Sequence, residues 1–337
     1  MKGRASECIR VKREQGEAAR RALYRHGLLA RDLRIRAEGE HLLIPVKDAG
    51  EAGNILGEMG IDYSPCNDVF EEASKPPKGP GIEASYTLVG GIAVLNPRRG
   101  IEDLAYYKRE AEKILERIKP ARSVYIKWGT HGTYRLPRLI HLAGVDDTVT
   151  IHKEYGLRFK VDLAKVYFNP RLSYEHRRVA ESTSHGETVL DMFTGAGGFT
   201  IHIASLRRAR ILAVDLNHYA AAYTAINLRL NKSLLKGVAS VLRADARLLP
   251  GIHHPVFTRI IMNNPTMSRA FGGVACNMAA GRATVHYYTL TISRLEAVEE
   301  AVESLGHCKR VDVLESRKVL DYSPEKSVYV ADVEISV

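Results

Sequence analysis

The run DMFTGAGGFT, Asp191 to Thr200, constrains the fold of this chain more than any other stretch. It follows the strand-like residues 188–190 and precedes an apolar run, 201–204, so the pattern predicts a strand, a tight turn and a helix. Closely spaced glycines, among them Gly195 and Gly197, allow a sharp turn and the close approach of a ligand. The spacing differs from the G-x-G-x-x-G of dinucleotide sites, and the acidic residue suits a ligand that carries a cation. An ordinary strand-to-helix turn of an α/β domain is the alternative.

Two further acidic residues end the strands that are predicted after this turn. Asp215 ends the strand in ILAVDLN, and Asp245 ends the strand in SVLRADAR. Ligands of open α/β sheets bind at the carboxyl ends of the strands. There, Asp215 can accept both ribose hydroxyls of an adenosyl group, and Asp245 can accept the adenine amino group. One solvated Asp would be unremarkable, but together with Asp191 the three acids predict S-adenosylmethionine as the cofactor.

The loop after the fourth predicted strand carries the next signal, in RIIMNNPTMS, residues 259–268. In S-adenosylmethionine-dependent methyltransferases this loop faces the methyl group. Asn263 and Pro265 are similar to the N/D-x-P pattern of enzymes that act on nitrogen atoms of planar substrates. An Asn side chain offers an acceptor and two donors, which suits the edge of a base. A simple Asn-Pro turn is the alternative.

Turn-rich breaks and the order of the elements predict three domains and a linker. In the first domain, a helix over Glu14–His26 is followed by strands over Asp32–Arg36 and His41–Val46. The third domain alternates strands and helices and ends in an antiparallel hairpin at the sheet edge. The predicted regions are a small N-terminal α/β domain (1–72), a linker rich in Pro and Gly (73–82), a middle α/β domain (83–171) and a Rossmann-like α/β domain with a mixed, mostly parallel seven-stranded sheet (172–337).

Charge and cysteine content restrict the class of protein. The 337 residues carry a net charge of +10, which favours an anionic partner such as nucleic acid; the basic surface of a heat-adapted protein is the alternative. The four cysteines form no CxxC pair and no zinc-ligand spacing, so we expect a reducing compartment. We also expect no metal in catalysis. The N-terminus lacks the apolar core of a secretory signal, and no stretch is apolar enough to span a bilayer. We expect a cytoplasmic monomer without membrane contact.

Several segments resemble one family, the archaeal and eukaryotic tRNA (guanine-37-N1)-methyltransferases. They are HGLLARDLRIRAEGEHLLIPV, RLPRLIHLAG (135–144), TIHKEYGLRFKVDLAKVYFNPRLSYE (150–175), DMFTGAGGF, AVDLN, MNNP, VHYYTL (285–290) and VLDYSPEKSVYVADVEI (319–335). Segment 150–175 is the most specific, because generic methyltransferases lack it. The resemblance implies a class I methyltransferase domain that moves a methyl group from S-adenosylmethionine to N1 of guanine 37. It also implies that the first domain binds the outer corner of tRNA and that the other two bind the anticodon arm.

The resemblance further implies roles for particular residues. Glu175 matches the glutamate that accepts the N1 proton. Arg135 matches the arginine that bonds guanine O6 and stabilises developing charge, although Arg138 is close enough to confuse the assignment. Asn263 matches the asparagine that contacts the target base. The cofactor contacts predicted from the motifs and the resemblance are His176, Asp191, Phe193, Gly195, Gly197, Asp215, Leu216, Asp245, Ala246, Asn263 and Pro265.

Two positions depart from the family pattern. The usual N-L-P is N-N-P here, with Asn264 in the apolar position, and His176 replaces the cofactor-contacting arginine after the catalytic glutamate. An imidazole contacts the cofactor carboxylate more weakly unless it is protonated. Three other activities stay open: methylation at C7 of a wyosine precursor at the same site, aminocarboxypropyl transfer with the same cofactor, and tRNA binding without catalysis. Arg135, Glu175 and the N-x-P loop favour methyl transfer.

Overall fold

The structure is a computed structural model, and it describes residues 3–30, 32–71, 81–98, 100–132, 134, 136–323 and 325–337. Contacts divide the chain into two units, Met1–Ile82 and Glu83–Val337. The predicted linker, apart from residues 81 and 82, lies outside the described residues, and so does Arg135. Of the described helices, none is long and apolar enough to cross a bilayer.

The first unit is an antiparallel sheet with two helices. Its elements are β1 (Gly3–Lys12), α1 (Gly16–Arg25), β2 (Arg36–Glu38), β3 (His41–Pro45), α2 (Ala49–Glu58) and β4 (Tyr63–Glu71), with strand order β2-β3-β1-β4. The helix α1 and the strand β3 confirm two predictions, whereas β1, α2 and β4 were not predicted. The predicted strand over Asp32–Arg36 is wrong. Its pairing with β3 begins only at Arg36, because the Arg34 amide donates to the Glu71 carbonyl on β4 at 2.9 Å.

The second unit begins with a four-stranded sheet and a hairpin. The elements are β5 (Tyr86–Val89), β6 (Ile92–Leu95), α3 (Leu104–Arg117), β7 (Ser123–His131), β8 (Leu136–Gly144), β9 (Val149–Glu154) and β10 (Leu157–Asp162). The sheet has the order β5-β6-β7-β8, and β9 pairs with β10 alone. Two asparagines, Asn227 and Asn231, dock this hairpin onto the next layer: each bonds both the amide and the carbonyl of one β10 residue, Lys160 and Arg158 respectively, at 2.7–2.9 Å.

The remaining elements form a doubly wound sheet. They are α4 (Ser173–Ser182), β11 (Thr188–Asp191), α5 (Gly198–Leu206), β12 (Arg210–Asp215), α6 (His218–Leu230), β13 (Val238–Arg243), α7 (Leu249–Ile252), β14 (Phe257–Met262), α8 (Gly272–Met278), β15 (Ala279–Thr291), α9 (Arg294–Ser304), β16 (Arg310–Asp321) and β17 (Ser327–Ser336). The order is β13-β12-β11-β14-β15-β17-β16, with β17 antiparallel to both neighbours. This confirms the predicted seven-stranded, mostly parallel sheet with an antiparallel hairpin at its edge.

The order of the strands decides which loops meet. Strands β13, β12, β11 and β14 are adjacent and parallel, so their carboxyl ends lie along one edge of the sheet. Asp191 pairs in register with Ala213 on one side and with Ile261 on the other. Buried β-branched and Leu side chains on these strands fill the core beneath that edge.

The four cysteines form two disulfides, Cys8–Cys66 in the first unit and Cys276–Cys308 in the second. The antiparallel pairing of β1 with β4 places Cys8 opposite Cys66. The partners are 58 and 32 residues apart in sequence, so no short motif signals them. Disulfides persist in oxidising compartments and also inside hyperthermophiles. The cysteines therefore do not support the expected reducing compartment.

Candidate active site

The glycine turn between β11 and α5 depends on backbone conformations that only glycine adopts freely. Gly195 has φ 56° and Gly197 has φ 88°, both in the left-handed region. A Cβ on Gly197 would lie 3.0 Å from Ile201 Cδ1, and a Cβ on Gly198 would lie 2.5 Å from the imidazole of His176. The turn therefore packs closely on the residues beneath it, and a side chain at either position would displace it.

Asp191 lies at the end of β11 and is fully buried. Its Oδ2 accepts a hydrogen bond from the Thr200 hydroxyl at 2.8 Å, whereas Oδ1 has no hydrogen-bond partner among the described residues. Burial raises the pKa of Asp191 to about 6, and the hydroxyls of Thr200 and Thr194 offset part of that rise. A buried acceptor without a partner calls for a donor. The amino group of S-adenosylmethionine is such a donor, so this side chain fits the predicted cofactor.

Asp215 lies at the end of β12, where it holds the glycine turn from the side. Its Oδ2 accepts from the Gly195 amide and its Oδ1 from the Asn217 amide, both at 2.9 Å. Burial raises the pKa of Asp215, and the two amides partly offset this. Each carboxylate oxygen keeps a second lone pair for a ligand hydroxyl, as the ribose prediction requires. The next residue, Leu216, is an exposed apolar side chain beside it.

Asp245 follows β13 and is already part of an ion pair. It accepts from the Arg247 amide at 3.0 Å, and the Arg247 guanidinium approaches it to 2.5 Å. These hydrogen bonds from Arg247 lower the pKa of Asp245. Ala246, between them, is buried. The acid thus lies where the sequence placed it, but an adenine amino group would share it with an exposed arginine.

The N-N-P loop after β14 is held by backbone bonds to its neighbours. The carbonyl of Pro265 accepts from the Leu290 amide on β15 at 3.1 Å, and the Ser268 hydroxyl donates to the carbonyls of Met262 and Asn264. The side-chain oxygen of Asn264 accepts from the Thr266 hydroxyl at 3.3 Å, so this departure from the family pattern is bonded within the loop. Asn263 is half-buried at the carboxyl end of its strand.

Phe193 in the turn after β11 packs edge-on against Phe271, which follows the N-N-P loop, with ring centroids 4.9 Å apart. This contact joins the glycine turn to the segment between the N-N-P loop and α8. Together with the order of the strands, this contact brings the turn, Asp215, Asp245 and the N-N-P loop to one edge of the sheet.

Glu175, in the first turn of α4, is only 1% exposed. Its Oε1 accepts from the Tyr288 hydroxyl at 2.5 Å and from Arg178 Nη2 at 2.8 Å. Its Oε2 accepts from Arg178 Nε at 3.1 Å and pairs with Arg317. The carboxylate thus accepts three hydrogen bonds, two at Oε1 and one at Oε2, and forms an ion pair with Arg317. The sequence points to Glu175 but not to its three partners, since the i, i+3 spacing to Arg178 is the one local signal.

His176 is buried, and its imidazole faces a second buried acid, Glu154. Its Nδ1 lies 2.9 Å from Glu154 Oε2, and Nε2 of His202 lies 3.1 Å from the same oxygen. Burial alone would raise the pKa of Glu154, but the two imidazoles outweigh it and lower the pKa to about 2. Glu154, His176 and His202 are residue types that can bind a metal, and their ligand atoms lie within 4.8 Å of one another. Two imidazole N–H groups that donate to one carboxylate explain this arrangement without a metal. Of the His176 nitrogens, Nε2 is the one beside the glycine turn.

These features define a class of protein: a Rossmann-like methyltransferase that uses S-adenosylmethionine. The family described as the TRM5/TYW2 methyltransferase domain matches residues 150–314, and the tRNA methyltransferase 5 N-terminal domain matches residues 8–52. The chain belongs to the family of Trm5-type tRNA (guanine(37)-N(1))-methyltransferases. The resemblance seen in the sequence is thereby confirmed.

The similarity to individual relatives extends over nearly the whole chain. The tRNA (guanine(37)-N(1))-methyltransferase Trm5b of Pyrococcus abyssi is 32% identical over 337 residues, which cover 97% of this chain and 98% of that protein. Trm5b of Methanocaldococcus jannaschii is 30% identical over 351 residues, covering 98% of both. The solved complex of aTrm5 with tRNALeu superposes with a TM-score of 0.67 at 30% identity, covering 98% of this chain and 99% of the other.

Proposed function

We propose that this protein transfers a methyl group from S-adenosylmethionine to N1 of guanine 37 in tRNA. The observation that carries the proposal is Glu175, a buried carboxylate beside the cofactor turn. Its neighbour His176 packs on Gly198, the first residue of α5, so the helix that holds the carboxylate contacts the turn directly. The cofactor supplies an electrophilic methyl group; the protein has to hold it and to prepare the nucleophile.

The target atom explains why a carboxylate is needed. N1 of neutral guanine carries a proton, so its lone pair becomes available only when a base takes that proton. Arg178 and Arg317 both form ion pairs with Glu175, so two cationic side chains lie beside this carboxylate. Oε1 already accepts two hydrogen bonds, so the guanine proton has to reach Oε2, beside which Arg317 lies. We propose Glu175 as the general base on these grounds.

The other predicted residues have complementary roles in this proposal. Asp191, Asp215 and Asp245 hold the cofactor from three strand ends. Asn263 bonds the edge of the guanine from the loop after β14. Arg135 bonds guanine O6 and stabilises the charge that builds as N1 loses its proton, a role that comes from the family pattern alone.

The tRNA partner is supported by charge and by the relatives. The chain carries a net charge of +10, and the related aTrm5 has been solved in complex with tRNALeu. We propose that residues 1–72 bind the outer corner of tRNA, that 83–171 and 172–337 bind the anticodon arm, and that 73–82 link the first domain to the rest. We also propose that the protein acts as a cytoplasmic monomer. Affinity that is spread over many phosphates should fall steeply as salt increases.

One labelling experiment tests the function. An unmodified tRNA transcript is incubated with S-adenosylmethionine labelled either in the methyl or in the carboxyl carbon. Methyl label alone should enter the RNA, and a transcript with adenine at position 37 should stay unlabelled. Carboxyl label in the RNA would instead establish aminocarboxypropyl transfer. Methyl label that enters only tRNA carrying a wyosine precursor would assign C7 methylation, and binding without label would leave a tRNA-binding protein.

A further inference from the structure

Behind Glu175, a chain of hydrogen-bonded charged and polar side chains extends from α4 to the strands of the sheet. Arg178, which holds Glu175 with Nε and Nη2, also donates from Nη1 to Asp332 Oδ2 at 2.6 Å and from Nη2 to Asp332 Oδ1 at 3.2 Å. Asp332 lies on β17, 157 positions along the chain from Glu175 (332 − 175), and only 7% of it is exposed. One guanidinium therefore bridges the two carboxylates and sets the position of one relative to the other.

The next member is a histidine whose proton can be assigned. His286 Nδ1 lies 2.6 Å from Asp332 Oδ1, and its Nε2 lies 2.6 Å from Arg259 Nη1. A guanidinium only donates, so Nε2 accepts, the proton is on Nδ1, and the imidazole is neutral. Burial lowers the pKa of His286, and the arginines on both sides lower it further against the opposing effect of Asp332. The geometry assigns the tautomer, and the lowered pKa agrees that the imidazole is neutral.

The last member of this hydrogen-bonded chain, Arg259, contacts the C-terminal end of α4. Arg259 pairs with Glu187 at 2.6 Å and donates to the carbonyl of Ser182, the last residue of α4, at 3.0 Å. The helix is thereby tied to strands β14, β15 and β17 at both of its ends. Little freedom remains for the first turn, where Glu175 lies.

Asp332 is the central member of this chain, because it accepts hydrogen bonds from both Arg178 and His286. Burial alone would raise its pKa, but His286 and Arg178 outweigh burial and hold the pKa of Asp332 well below its usual range. It is therefore an ionised carboxylate that competes with Glu175 for Arg178. Without its charge, Arg178 would lose the partner that fixes the plane of its guanidinium. Glu175 would keep Tyr288 and Arg317, but its two hydrogen bonds from Arg178 would come from a mobile side chain.

We propose that Asp332 is a positioning residue for methyl transfer: through Arg178 it holds the carboxylate of Glu175 in the orientation that receives the guanine proton. This rests on the function proposed above for Glu175. Asp332 itself contacts neither the cofactor turn nor the predicted base-binding loop in any bond described for it.

A double-mutant cycle tests this. Single-turnover methyl transfer to a tRNA transcript is measured for Asp332→Asn, Glu175→Gln and the double variant, together with KM for tRNA and for S-adenosylmethionine and the melting temperature. We expect Asp332→Asn to lower the rate about tenfold, which is less than the 10²–10⁴ that general base catalysis contributes in full, with both KM values unchanged. In the Glu175→Gln background the same substitution should have no further effect, because the group it positions is gone.

The matched control is Glu334→Gln. Glu334 lies two residues along the same strand and pairs with the exposed Arg282 on β15, so it repeats the change of charge without a link to Glu175. It should keep the native rate. If Asp332→Asn does not fold, Arg178→Lys is used in the same cycle, since an ammonium retains the charge but not the fork that bridges both carboxylates.

The outcomes are separable. Equal losses from Asp332→Asn in both backgrounds would show a general loss of folded protein and overturn the inference. A native rate for Asp332→Asn alone would also overturn it, while leaving the role of Glu175 intact. A native rate for Glu175→Gln would overturn the base assignment in the proposed function, and the positioning role with it.

Discussion

The cofactor edge and the cluster around Glu175 are built in different ways. At the cofactor edge, backbone amides hold two of the three acids: Asp215 bonds the amides of Gly195 and Asn217, and Asp245 bonds the amide of Arg247. Around Glu175, side chains are held by other side chains, and Tyr288 is 113 residues from the carboxylate it contacts. Backbone amides stay in place when a side chain is replaced. The cofactor edge should therefore tolerate single substitutions better than the Glu175 cluster.

The largest effect should come from Glu175→Gln. We expect the methyl-transfer rate to fall by about 10²–10⁴, because the proton acceptor is lost, while tRNA binding persists. Single-turnover labelling and a filter-binding titration measure the two quantities. Glu181→Gln on the same helix is the control, since Glu181 is an exposed partner of Arg177 and should leave the rate unchanged. Near-native turnover of Glu175→Gln would contradict the expectation that the Glu175 cluster tolerates substitution less well than the cofactor edge.

Gly197→Ala should be the most damaging change at the cofactor edge. The new Cβ would require a left-handed conformation and would press on Ile201 and Thr224 at 3.0–3.2 Å. We expect a loss of about 2–3 kcal/mol in unfolding free energy and weaker binding of S-adenosylmethionine, measured by denaturant titration and calorimetry. Gly186→Ala has nearly the same φ, 87°, with open space around it, and isolates the strain alone. Equal losses in both variants would mean that close packing under the turn contributes nothing.

Asp215→Asn should weaken cofactor binding by about tenfold, because an amide side chain retains one acceptor oxygen for two backbone amides. Asp245→Asn should cost less, since Arg247 competes with the ligand for the native carboxylate. Calorimetric titration of both variants with S-adenosylmethionine ranks them. The reverse order would show that adenine recognition at Asp245 outweighs the support that Asp215 gives to the glycine turn.

The smallest effect is a pH dependence at Asp191. With a pKa of about 6, this carboxyl is protonated at pH 5 and ionised at pH 7, so binding of the cationic cofactor should strengthen severalfold across that interval. Asp191→Asn should abolish the change, and an unaltered profile in that variant would assign it to another group. For folding the sign is opposite. The raised pKa contributes stability below the ordinary value of 3.8, and this contribution is lost as pH rises through about 6.

Predictions from the sequence succeeded where the signal was local. The alternation of strands and helices, the glycine turn and the acids at three strand ends follow from patterns a few residues long, and the sheet confirms them. The first unit shows the opposite case. Its central strand β1 was not predicted, and the predicted strand over Asp32–Arg36 was wrong, because pairing between segments far apart in sequence decides which residues form a strand.

The sequence alone thus determined the family, the cofactor and Glu175 as the candidate general base, because motif spacing and backbone turns are encoded within short windows. Only the tertiary structure decided that Glu175 is buried, that Tyr288, Arg178 and Arg317 surround it, and that Asp332 stands behind Arg178. It also paired the four cysteines. The physical reason is that a buried charge must find its compensation wherever the packing of the sheet brings donors together, and that placement has no local signature in the sequence.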